Sequence, residues 1–370
     1  MPRPGRPPAS EVPGRGPRAL RVRLACAGAC AAVTLTGCGA HRHAVSPARR
    51  RTSTSTTTTN TSTDTSTPAT NTIAGRTATT STTTAAALPG TGRPTVTIGD
   101  KNYTEQFVLG QLYLQALKAQ GFSVEITDNI GPPAVVRQRL TTGTLAMYPE
   151  YLDTFNTTLA GDRRHFASRA ATLRAARQWA RPHGLRLLAP TPFSDTDAVA
   201  VTDAYAAAHR LRTLTGLRRV GATLTIGGAL QFRTDAIGLR GLSDVYGVAP
   251  RSFAPLAVGD QYTELATGAV QAAYVNTTDG QLASDDYRVL ADPRRLFGYG
   301  NVVPVASAHA LALEGPAFAA TIERVDRTLT LPVMRALNSE VDIAHETPAA
   351  VATVFLQTHG LLSPLRPTRH

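Results

Sequence analysis

Beyond residue 38 this chain of 370 residues has no cysteine, its three being Cys26, Cys30 and Cys38. Nothing downstream can form a disulfide or a thiolate metal site. Cys26 and Cys30 have the spacing of a metal pair, but they lie in an apolar segment with no further ligand nearby. Also missing are a Gly-X-Ser-X-Gly elbow, a phosphate-binding Gly-rich loop and any metal-spaced His/Cys set. His41 and His43 fall in the polar N-terminal region and the other histidines are scattered. No cofactor and no metal are therefore implied. After the N-terminal region no stretch is apolar enough to span a bilayer.

A basic groove is missing as well, despite a formal charge of +12. Residues 1–94 hold twelve arginines against Glu11 and Asp64, so they carry +10 of that excess. The remainder is nearly neutral, which excludes a nucleic-acid partner.

What is present begins with a leader. Residues 1–23 are rich in Arg and Pro, and Leu24 to Gly37 is an apolar run of small residues. A basic region before a short apolar stretch fits a secretory signal. It ends in Leu35-Thr36-Gly37-Cys38, which resembles the lipobox of bacterial lipoproteins. That resemblance implies removal of residues 1–37 and a lipid on Cys38; an ordinary signal peptide with a chance cysteine is the alternative. The basic region is long, so a start codon further downstream is also open. From Arg51 to about Ala87 the chain is mostly Thr and Ser, with too little apolar surface to offset the entropy of ordering. Residues 38–94 read as a tether, and a flexible coil of that length reaches roughly 40 Å.

The rest alternates between short β-branched runs and helical periodicity. Strands are expected at Thr95–Ile98, Ser123–Thr127, Leu145–Tyr148, Leu185–Leu188, Ala198–Val201, Thr223–Ile226, Phe253–Leu256, Val270–Val275 and from Val302. Helices are expected between them, the first over about Thr104 to Gln120 and stopped by Gly121, the last near Pro316–Asn338 and Thr347–His359. The alternation predicts an α/β fold with mainly parallel sheets flanked by helices. This length suits two lobes better than one sheet. A ligand would sit at the strand ends, between the lobes.

Six segments then carry a family resemblance. Asp100-Lys101-Asn102-Tyr103-Thr104-Glu105-Gln106 resembles the opening "SKNFTEQ" of substrate-binding proteins for glycine betaine, choline and proline betaine, and Tyr148-Pro149-Glu150-Tyr151-Leu152-Asp153-Thr154 resembles their "YPEYTGT". Asp195-Thr196-Asp197-Ala198 resembles the inter-lobe crossing, and Gln231-Phe232-Arg233-Thr234-Asp235 the "EFRTR" segment. Thr277–Gly280 and Phe297–Pro304 also correspond. The order is right over roughly Thr95 to Leu362. The resemblance implies a two-lobed, type II periplasmic-binding-protein fold with two hinge crossings, one lobe from about 95–195 with 301–365 and the other from about 196–300. It implies the capture subunit of an ABC importer: an extracytoplasmic monomer, lipid-anchored to the cell membrane, serving separate permease and ATPase chains.

By the same correspondence Lys101, Tyr151 and Thr154 are ligand contacts. A quaternary ammonium has no N–H to donate, so its diffuse charge is held against electron-rich ring faces, at ~0.5–2 kcal/mol per contact. Tyr151 would be a cage wall, Thr154 a polar contact, and Lys101 a donor to an anionic or hydroxyl end. Asp197 stands where relatives often have Asn, Asn276 where they are often aromatic, and Tyr299 beside a cage tyrosine. Asp235 replaces the second Arg of "EFRTR", which in relatives can engage a ligand carboxylate. An anion in place of a cation favours choline, or another cation without a carboxylate, over glycine betaine. Alternatively Asp235 is a salt-bridged surface residue, Tyr151 a core aromatic and Lys101 a solvated loop lysine. Tyr262 and Tyr274 are further aromatic candidates. Glu150 and Asp153, flanking Tyr151, could be read as the acid/base pair of a hydrolase, but their spacing is generic. A sensor rather than an importer is the other reading left open.

Overall fold

Two five-stranded sheets organise the residues described by the computed structural model, 87–363. In chain order the strands are β1 (Val96–Gly99), β2 (Val124–Thr127), β3 (Met147–Tyr151), β4 (Leu185–Leu187), β5 (Asp197–Thr202), β6 (Thr225–Gly228), β7 (Ser252–Pro255), β8 (Ala272–Asn276), β9 (Tyr287–Val289) and β10 (Val302–Ser307). The first sheet has the order β2-β1-β3-β10-β4 and the second β7-β6-β8-β5-β9. The signal peptide, Cys38 and most of the expected tether lie outside the described residues.

The two sheets share one design. In the first, β1 pairs in parallel with β2 and β3, while β10 runs antiparallel between β3 and β4. In the second, β6 pairs in parallel with β7 and β8, while β5 runs antiparallel between β8 and β9. The expected mainly parallel sheets are thus mixed, and the odd strand is in each case the one that follows a passage from the other sheet. A strand returned by a helix points toward the cleft between the sheets, as β3 does. A strand arriving from the other sheet starts at the cleft and must run away from it. β5 and β10 do so.

Strand β3 extends three residues past its expected end, through Pro149. Its partner there is Pro304 of β10. Neither residue has an N–H, so they suit a facing pair that exchanges no N–H···O bonds. The helix Thr104–Ala119 buries Val108, Leu109, Leu112, Tyr113, Ala116 and Leu117 completely. That face belongs to a core shared with β1, β2, β3 and β10 and with Phe318, Ile322 and Phe355 of the late helices. A separate core covers the other face of the same sheet, and the second sheet is likewise covered on both faces. The sheets therefore sit inside α/β lobes.

Packed chain begins earlier than the expected boundary at Thr95. The Gly90 amide donates to the Gln120 carbonyl at 2.9 Å, and Arg93 donates to the Leu313 carbonyl at 2.7 Å. Among the described residues no helix is long and apolar enough to cross a membrane.

Candidate functional site

The chain passes between lobes at Ser194–Asp197 and again at Gly300–Asn301, and the two passages pair with each other. Ser194 and Asn301 form an antiparallel bridge, and the Asp195 amide donates to the Gly300 carbonyl at 3.0 Å. Thr277, just after β8, closes the crossing: its hydroxyl donates to the Ser194 carbonyl at 2.8 Å and accepts from the Thr196 amide at 3.0 Å. The approach at residue 300 is so close that a Cβ there would lie 1.5 Å from the Asp195 carbonyl oxygen. Gly298 has φ +71°, and a Cβ there would lie 1.9 Å from an Asp153 carboxylate oxygen. Glycine is needed at both positions.

Beside this crossing is a cavity of about 530 Å³. Its first-lobe wall is aromatic. Tyr151, at the end of β3, and Tyr103, which precedes the helix Thr104–Ala119, stack with centroids 6.2 Å apart and planes at 26°. Tyr151 is only 7% exposed and its hydroxyl donates to Glu105 Oε1 at 2.7 Å, whereas Tyr103 is 40% exposed. Phe166, Phe297 and Tyr299 also line the space. Thr154 lies one helical turn beyond Tyr151.

Across from it, Asp195, Asp197 and Asn276 supply polar lining beside Ile237, Leu296 and Phe297. Asp197 opens β5 opposite Asn276 and accepts the Tyr274 hydroxyl. Burial pushes the Asp195 carboxyl well above the usual carboxylate range, and the neighbouring Glu105, Asp279 and Asp197 add to it. Burial likewise raises Asp197, with a further push from Asp235, and raises Glu105 despite its hydroxyl and amide donors. Asp279, held by the Tyr262 hydroxyl at 2.7 Å and the Asn276 amide at 3.1 Å, is raised by burial too. The site is therefore a slot lined by both rings and carboxyls, with Arg163, Arg164 and His165 also in its lining. Among the described residues no group of three or more His, Cys, Asp or Glu is placed to hold a metal ion.

Of the residues singled out from the sequence, Tyr151, Thr154, Asp197, Asn276 and Tyr299 all line this cavity. Lys101 does not. Its ammonium is drawn 2.5 Å from Oε1 of the buried Glu150 and lies 5.9 Å from the Tyr151 ring centroid, behind the aromatic wall. Asp235 does not line it either, because it is exposed on the turn after Leu230–Arg233. Among the described residues it is in no ion pair. Tyr274 and Tyr262 act from behind, as donors to Asp197 and Asp279. Sequence reasoning missed Tyr103 and Asp195, although both fall inside segments that carried the resemblance. Nothing in the sequence marked Phe166.

With this geometry in view, comparison with known proteins is direct. The family model "Substrate binding domain of ABC-type glycine betaine transport system" (OpuAC) matches residues 94–358. The chain belongs to this family. The glycine-betaine-binding protein of Pseudomonas aeruginosa is 30% identical over 286 residues, which cover 72% of this chain and 89% of that protein. The glycine betaine-binding protein YehZ of Escherichia coli is 26% identical, covering 74% and 93%. Among solved structures, that of a glycine betaine/carnitine/choline ABC transporter superposes with a TM-score of 0.68 at 22% identity, over 72% of this chain and all of the other. Apo YehZ gives 0.63 at 25% identity, over 72% and 99%. The OpuAC family places this chain among extracytoplasmic solute-binding components of ABC transporters, whose partners are a small solute and a permease. Its architecture is the two-lobed, type II periplasmic-binding-protein fold.

Proposed function

We propose that the cleft captures a small quaternary-ammonium solute, with choline-like cations favoured over glycine betaine. The protein is anchored outside the cell membrane by a lipid on Cys38 and, as a monomer, hands the solute to separate permease and ATPase chains. One observation carries this reading: the stacked rings of Tyr103 and Tyr151 line the same cavity as the Asp195 and Asp197 carboxyls, which are in no ion pair among the described residues. A methylated ammonium suits that slot because it needs a π-face and a counter-charge and no acceptor for N–H groups. Thr154, Asn276 and Tyr299 supply further polar and aromatic lining. The names of the Pseudomonas and Escherichia relatives, and the carnitine transport binding protein of Listeria monocytogenes at 24% identity, support a methylated amine as the ligand class.

The preference for a cation without a carboxylate rests on two positions that offer no free cation to a ligand, although Arg163 and His165 stay in the lining. Lys101 is held by Glu150. Residue 235 is Asp where related proteins can offer Arg to a carboxylate. Calorimetric titration with choline, glycine betaine and carnitine tests the reading, with the uncharged isostere 3,3-dimethylbutan-1-ol as control. Choline should bind tightest and the neutral isostere not measurably. At 100 times its dissociation constant choline should stabilise the fold by ~2.7 kcal/mol. Saturable binding of none of the three ammonium compounds would refute the proposed ligand class.

A further inference from the structure

Asp195 stands at the first crossing between the lobes and lines the cavity. It is clamped. Its amide donates to Gly300, and its carbonyl oxygen lies against the bare Cα of the same glycine. Its carboxyl is poorly served by comparison: Thr277 Oγ1 lies 3.5 Å from Oδ1. Glu105, immediately behind, is better held, with the Tyr151 hydroxyl at 2.7 Å and the Asn338 amide at 3.2 Å.

The groups facing Asp195 come from every element around it. Glu105 acts from the helix Thr104–Ala119, Asp279 from the segment after β8, and Asp197 from the start of β5. The Tyr103, Tyr151 and Tyr274 hydroxyls surround the same space. Arg335, from the helix Leu331–Asp342, is committed to the Thr277 and Leu282 carbonyls at 2.8 and 3.3 Å and acts on Asp279. Arg163, Arg164 and His165 line the other side of the cavity, where Arg164 is paired to Asp162 at 2.6 Å and His165 acts on Asp153. None of the ion pairs among the described residues includes Asp195, Glu105, Asp197 or Asp279.

Several carboxyls in one enclosed space cannot all ionise. Thr277 Oγ1 has one proton to donate. It gives that proton to the Ser194 carbonyl at 2.8 Å and stands 3.5 Å from Asp195 Oδ1. Glu105 holds two donors, the Tyr151 hydroxyl and the Asn338 amide. The proton therefore belongs on Asp195, the member of the pair that meets the cavity.

We propose that Asp195 is the specificity-determining counter-ion of the cleft: it holds a proton while the cleft is empty and releases it to solvent when a solute of net positive charge binds. This rests on the quaternary-ammonium reading and adds to it a charge rule. A cation replaces the proton as the partner of the carboxylate. A zwitterion brings no net charge to set against the carboxylate and displaces the proton less completely. Burial, which raises Asp195 above the ordinary carboxylate range, puts the exchange in that raised window. There, affinity for a cation should rise with pH, by up to about tenfold per pH unit for one proton released.

The test is calorimetry of the unmodified protein with choline and with glycine betaine, each in two buffers of different ionisation enthalpy, repeated across pH. Choline should release up to about one proton per molecule bound and glycine betaine distinctly less. Asp195→Asn should abolish the release, lower choline affinity at least ~30-fold and change glycine betaine affinity less. Choline binding with no proton exchange at any pH overturns the proposal and leaves the ligand class standing. Failure of every quaternary amine to bind overturns both. The buffer comparison on the unmodified protein decides without depending on how well the variant folds.

Discussion

Tyr151 lets ring and hydroxyl be separated. The ring belongs to the cavity wall and stacks on Tyr103, while the hydroxyl points away to Glu105 Oε1 at 2.7 Å. Tyr151→Phe keeps the wall and removes a buried hydrogen bond to an acidic group. Such bonds contribute ~1.5–3 kcal/mol, and at ~2–4 °C per kcal/mol for a folded region of this size the melting temperature should fall by roughly 3–12 °C. Choline affinity should stay within about threefold, because the π-face is intact. Tyr151→Ala removes the ring as well. It should destabilise by ~3–5 kcal/mol through the cavity it leaves, and weaken choline by up to ~30-fold, the upper end of one cation–π contact. Melting curves and titrations on the two variants separate the roles. If Tyr151→Phe lost as much affinity as Tyr151→Ala while still folded, the ring would not be the gripping element, and the slot argument would fail.

Tyr103→Ala, by contrast, should cost less than about 1 kcal/mol of stability, since the ring is 40% exposed, yet weaken choline by ~3–30-fold by titration. Gly300→Ala should destabilise by at least about 3 kcal/mol in denaturant titration, because the methyl meets backbone 1.5 Å away and not a side chain that can turn aside. Burial raises Asp326 to about 8, partly offset by the Tyr113 hydroxyl donating at 2.6 Å. A carboxyl raised above its unfolded value of about 3.9 contributes stability in acid that is lost as pH climbs from about 4 to about 8. Asp326→Asn keeps an acceptor for Tyr113, so thermal melts across that range should show a flatter profile than the parent.

Much of the lobe architecture was legible because β-branched runs such as Val96–Ile98 and Ala198–Val201 are buried on both faces and flanked by turns. What periodicity could not reveal was direction. The composition of Val302–Ser307 is that of any buried strand, and only its arrival from the other sheet makes it antiparallel. Five of the seven ligand positions drawn from the sequence meet in one cavity, since they lie at strand ends that the fold brings together. The two that do not were lost to contacts that motifs cannot show. Lys101 is captured by a carboxylate 49 residues away, and Asp235 is turned outward by the segment before it. Asp195 was hidden for a different reason: as a residue between two strands it read as linker, although the linker lines the cavity. Leu88–Arg93 read as tether because its anchoring bonds are to the distant Gln120 and Leu313 carbonyls.

The placement of charge also bears on how capture would be transmitted. The rings of Tyr103 and Tyr151 belong to the first lobe, and Asp197 and Asn276 to the second. A ligand shifts a conformational balance only through the difference in its affinity for the two states. A cation that touched one wall alone would bind an open and a closed cleft equally and move nothing. One that touches both walls binds the closed form better, by roughly the contribution of whichever wall is brought to it. Each wall alone contributes little, and the Asp195 crossing between them is held by Gly300 and Thr277. Affinity and closure should therefore fall together when either wall is removed. Tyr103→Ala and Asp197→Asn, on opposite lobes, should each weaken choline and reduce the ligand-induced compaction seen by small-angle scattering.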